Sequence, residues 1–126
     1  MNKIAELFNT KGVRVQCFYD NDTDWEKIKL ASKEANFFVY DGHGGKMGER
    51  GNFGGLCLKS MVTSKEIIEG KKKKKNAMIV FKSVCGGAGS SASDNGDIGI
   101  IEATKRVTDY SKPFFEIGAS CYYANN

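Results

Sequence analysis

Apolar positions recur along this chain in two rhythms, one helical and one extended. Ile4, Leu7 and Phe8 stand at near-helical spacing and predict a short helix over Asn2 to Asn9, stopped by Lys11-Gly12. Val13 to Tyr19 alternates and is partly β-branched or aromatic, which predicts a strand. Thr23, with Glu26 three residues later, fits a capping box. The helix behind it has an apolar face of Trp25, Ile28, Leu30 and Ala31 and ends near Ala35. Phe37 to Tyr40 is a continuous apolar run that suits a strand buried in a parallel sheet.

Asp41 to Gly55 then holds seven glycines and reads as a loop. A brief strand at Leu56 to Leu58 and a short helix marked by Ser64, Ile67 and Ile68 follow. Ala77 to Val84 is the second continuous apolar run, and Cys85 to Gly99 is a second loop of Gly, Ser and Asp. Ile100 to Tyr110 predicts a helix that Lys112-Pro113 ends or kinks. Phe114 to Ile117 extends the packed surface, and Ala119 to Tyr123 reads as a last strand. Strands alternating with helices predict an α/β fold: a mainly parallel sheet with helices on both faces, in one domain spanning 1–126.

Composition changes this picture little. The chain has 126 residues, 40% of them hydrophobic, which suits one globular core. No apolar run approaches the roughly 18 residues that span a bilayer, and the start carries no long apolar segment of a secretion signal. The net charge of +4 is local, because Lys71 to Lys75 supplies five of 19 basic residues and the other 14 face 15 acidic ones. That run predicts a solvated loop or helix end and is a weak signal for nucleic acid. It also offers a cleavage point between the two loops. The four cysteines contain no CxxC, so their spacing predicts no zinc site. Reduced thiols in a cytoplasmic setting are expected.

The chemistry concentrates in the two glycine loops, at the carboxyl ends of the predicted parallel strands, where open sheets bind ligands. Tyr40-Asp41-Gly42-His43-Gly44-Gly45 contains the only histidine, and Cys85-Gly86-Gly87 follows the second buried strand. A free thiol is mostly protonated at neutral pH, and an adjacent imidazole helps to form the nucleophilic thiolate. His43 and Cys85 are therefore the candidate acid/base and nucleophile. The N–H groups of Gly44 and Cys85, with Gly86 beside them, are the candidate oxyanion donors. Asp94 and Asp97 are candidates to select a basic substrate side chain, and both also suit turn-forming and helix-capping roles.

FFVYDGHGG over Phe37–Gly45 and AMIVFKSVCGG over Ala77–Gly87 resemble the caspase-like clan of cysteine peptidases, which includes caspases, metacaspases, gingipains, clostripain and legumain. The resemblance covers roughly Val13 to Tyr123. It implies a three-layer αβα caspase-like fold, a His43/Cys85 dyad, an oxyanion role for Gly44, and hydrolysis of peptide bonds in a peptide or protein substrate without a cofactor. It also leaves room for a homodimer or partner subunit at a sheet edge. The chain departs from the family in lacking a clear strand before the first helix, a last sheet strand after Asn126, and a QACRG motif. These departures leave open truncation at one or both ends, as in a fragment or one subunit of a larger enzyme. Two other readings stand beside this one. An inactive caspase-like module would serve binding or assembly. A metal-dependent serine/threonine phosphatase-like protein would use DGHGG, with Asp41 and Gly42 at two metals and further carboxylates from Asp94, Asp97 or Asp109.

Overall fold

The computed structural model describes residues 3–46, 48–70 and 76–125; the lysine run at 71–75, with the cleavage point expected there, lies outside them. The chain is a mixed α/β protein. Helix α1 (Lys3–Thr10) and helix α2 (Trp25–Ala31) precede strand β1 (Phe37–Asp41). A small antiparallel hairpin, β2 (Leu56–Cys57) and β3 (Met61–Val62), leads into α3 (Ser64–Glu69). Strand β4 (Met78–Lys82), helix α4 (Gly99–Glu116) and strand β5 (Cys121–Asn125) complete the order. The main sheet has three strands in the order β1-β4-β5, all parallel, with Tyr40 opposite Phe81 and Phe81 opposite Ala124.

One face of this sheet is the core. Phe38, Tyr40, Ile79, Phe81, Tyr122 and Ala124 alternate onto it and meet Ile67 of α3 and Tyr110 and Phe114 of α4. Phe81 is fully buried, with the rings of Tyr40, Tyr110, Phe114 and Tyr122 at 5.3, 5.7, 5.6 and 5.3 Å. These edge-to-face contacts suit the aromatic quadrupole and add to the burial itself. The capping box forms at α3: Thr63 Oγ1 accepts from Glu66 N, and a Glu66 carboxylate oxygen accepts from Thr63 N.

Four expectations are corrected. Val13 to Tyr19 is no strand. It has no ladder partner among the described residues, its Val15 N–H donates instead to the Asn9 side chain, and most of its residues are exposed. The α2 cap is Asp24, which accepts from Lys27 N, whereas Thr23 Oγ1 donates to the Asp20 carbonyl. Helix α4 runs through Pro113 to Glu116. Proline inside a helix costs about 3 kcal/mol, and burial of Pro113 and Phe114 on the core offsets that.

The fourth correction concerns the layers. Ile67 of α3 and Tyr110 and Phe114 of α4 all pack into the one core cluster, so both helices lie on the same side of the sheet, as the usual right-handed crossover rule expects for strands added in one direction. The described residues therefore form two layers, not three. The opposite face carries Phe37, Val39 and Tyr123 at 59%, 64% and 56% exposure, although β1 reads from the sequence as buried on both faces.

The two faces predict opposite mutational costs. Phe81→Ala is expected to lose about 3–5 kcal/mol of unfolding free energy. Val39→Thr, on the open face, should stay within about 1 kcal/mol. Urea denaturation of the two variants measures both.

Candidate functional site

Parallel pairing of β1 with β4 brings the two glycine loops to one end of the sheet. His43 lies two residues beyond Asp41, and Cys85 three beyond Lys82, its partner in register. The strand-end pair is closed by an ion pair, Lys82 Nζ to Asp41 at 3.0 Å. Ser83 then adopts a left-handed backbone (φ 58°), which ends the strand, buries Val84 and leaves Cys85 half-buried. The His43 side chain is exposed.

The loops touch at Gly44. A Cβ added there would stand 2.5 Å from the Cys85 carbonyl oxygen and 2.6 Å from the Tyr110 hydroxyl. Only glycine lets the backbone after the imidazole lie against the backbone of the thiol residue. Gly86 is constrained twice, by a φ of 82° and by the Phe53 ring, which occupies the space a Cβ would take. The Gly86 N–H donates to the Ser90 carbonyl at 2.7 Å, so it is committed inside its own loop and is no oxyanion donor. The N–H groups of Gly44 and Cys85 make no hydrogen bond among the described residues. Among the described residues, then, the amide of the thiol residue and that of the glycine packed against its backbone are both without partners.

Three tyrosine hydroxyls from the core reach up to hold these loops. Tyr40 donates to the His43 carbonyl at 2.7 Å and accepts from Cys57 N at 3.0 Å. Tyr110 accepts from Gly45 N at 2.7 Å and donates between two carbonyls, the nearer that of Cys85 at 3.1 Å and the other that of Gly45 at 3.3 Å. Tyr122 donates to the Gly87 carbonyl at 2.9 Å. Burial raises the pKa of all three phenols, that of Tyr40 from 10.0 to about 12. Nothing in the sequence assigns these tyrosines a site role, and only their register and helix face reveal that each hydroxyl points toward the loops.

Asp94 and Asp97 have structural partners. The Asp94 carboxylate accepts from Ser91 N at 2.7 Å and from Arg106 Nη1 at 2.8 Å. The Ser91 N–H, with Arg106 beside it, holds this carboxyl below its usual range. Arg106 also pairs with Glu102 and lies over the Phe53 ring at 4.1 Å, so it joins α4 to the loop behind the thiol. Asp97 accepts from Gly99 N at the start of α4. The geometry therefore favours the turn and capping roles of both aspartates over substrate selection. Arg106, which sequence reasoning missed, stands in a helix stripe of otherwise ordinary surface charge.

The metal-centred alternative finds little here. Asp41 is ion-paired with Lys82, and no group of three His, Cys, Asp or Glu side chains among the described residues could hold a metal ion. No helix among the described residues is long and apolar enough to cross a membrane. Compared with protein-family models, with curated proteins and with solved structures, the chain gives no match.

The raised phenol of Tyr40 predicts alkaline sensitivity. The folded state binds the proton more tightly than the unfolded chain does, so its contribution is complete below pH 10 and is lost as pH rises through about 12. Tyr40→Phe should flatten the fall in stability over that window, as read by denaturant unfolding at a series of alkaline pH values.

Proposed function

We propose that this chain is a caspase-like cysteine endopeptidase in which His43 and Cys85 form the dyad. The observation that carries the reading is the contact of Gly44 with the Cys85 backbone, together with two amides that lack partners among the described residues. In this reading His43 accepts the Cys85 proton, and the thiolate attacks the carbonyl carbon of the scissile peptide. The electron pair of that carbonyl moves to its oxygen, which the N–H groups of Gly44 and Cys85 receive. The tetrahedral species collapses, the C–N bond breaks, and the leaving amine takes its proton from His43. Water, deprotonated by His43, then opens the thioester, releasing the acid and restoring the thiol.

The substrate is a peptide or protein. With Asp94 and Asp97 engaged elsewhere, the side chain before the cut is left to other groups. The four free cysteines suit a reducing compartment such as the cytoplasm. The outer edges of β1 and β5, unpaired among the described residues, are where a second copy or a partner subunit would pair. One observation favours the second reading, a non-catalytic assembly module: the exposed apolar sheet face of Phe37, Val39 and Tyr123.

Cleavage of fluorogenic peptides with basic, acidic and amide side chains before the scissile bond separates the readings. Cys85→Ala and His43→Ala should each lower kcat/KM by about 10³-fold or more. Iodoacetamide should abolish activity, and a chelator should leave it intact. Hydrolysis that survives Cys85→Ala, or partner binding by a variant without peptidase activity, would count against the enzyme and for its rivals.

A further inference from the structure

Tyr110 stands at the junction of the two candidate loops but belongs to neither. It projects from α4, is 1% exposed, and packs its ring edge-on against Phe81. A phenylalanine would serve that packing equally well. The hydroxyl serves the loops: it accepts from Gly45 N, two residues beyond His43, and donates to the carbonyl of Cys85 itself. It also occupies the space beside Gly44 that any side chain would need.

The second bond has a consequence for the thiol residue. The peptide unit between Cys85 and Gly86 is planar, with its C=O and N–H pointing in opposite directions. Here both ends are held, the C=O by Tyr110 and the Gly86 N–H by the Ser90 carbonyl. The orientation of that plane is therefore held at both ends, and the plane includes the Cys85 Cα from which the sulfur-bearing side chain departs. The same hydroxyl holds the amide that follows the imidazole residue and its glycine. One oxygen atom thus sets the spacing of the two loops.

We propose that Tyr110 is a positioning residue, whose hydroxyl couples the His43 loop to the Cys85 loop and so allows the imidazole to activate the thiol. The inference rests on the dyad reading above, and its test separates the two. The measurement is the rate of Cys85 alkylation by iodoacetamide between pH 5 and pH 10, resolved from the other three cysteines by peptide mass spectrometry. It needs no substrate. His43→Ala should lower the Cys85 rate near neutral pH by about tenfold, the loss expected when the base that assists the thiol is removed. Tyr110→Phe should produce most of that loss, and His43→Ala added to Tyr110→Phe should change the rate by less than about twofold. The rate at Cys121, on β5, should stay at its wild-type value in every variant.

A Cys85 profile unchanged by Tyr110→Phe but shifted by His43→Ala overturns the positioning role and keeps the dyad. A profile unchanged by His43→Ala removes the dyad and this inference with it. Equal changes at Cys85 and Cys121 reduce Tyr110 to a general stabiliser and likewise overturn the proposal. If Tyr110→Phe does not fold, Gly44→Ala forces the same gap from the other loop, and its Cys85 profile decides the matter in the same way.

Discussion

Phe81 lies beneath every element that builds the candidate site. Four rings surround it, and three belong to tyrosines whose hydroxyls end on the loops at the carboxyl edge of the sheet. Apolar burial fixes the rings, and the fixed rings aim the hydroxyls. Each hydroxyl in turn satisfies loop amides or carbonyls that would otherwise lie partly buried without partners, which is costly. Core packing and loop geometry are therefore one system, and a disturbance at Phe81 reaches the loops through rigid phenol groups.

A second layer of control acts from behind the thiol loop. Arg106 leaves α4 to hold Asp94 and to cover Phe53, and Phe53 fills the space against Gly86. The long helix thus supports both sides of the Cys85 turn, through Tyr110 from below and Arg106 from behind. Extension of α4 past Pro113 matters here, because the buried Phe114 anchors the helix to the same aromatic cluster.

Much of this was legible from residue order. The apolar runs at Phe37–Tyr40 and Ala77–Val84 form strands, with the glycine loops behind them, because apolar runs and turn chemistry are local signals. Three things were not legible. The alternation of Val13 to Tyr19 specifies a face but not a ladder partner, and it finds none among the described residues. The apolar character of Phe37 and Val39 suggests burial on both sides, yet handedness sends both crossover helices to one side, a consequence of strand order rather than of composition. The roles of Tyr110, Arg106 and the Gly86 amide depend on partners distant in sequence. Asp94, with two good candidate roles in the sequence, is decided by an arginine 12 residues away.

The separation of the two loops has a temporal side as well. Residues paired between β1 and β4 stand 41 apart, with a hairpin and a helix between them. Closing so long a loop is entropically costly and belongs late in folding. On a ribosome, the imidazole-bearing segment emerges well before its counterpart. The contacts that join the two loops are consequently absent from the nascent chain until the sheet has closed.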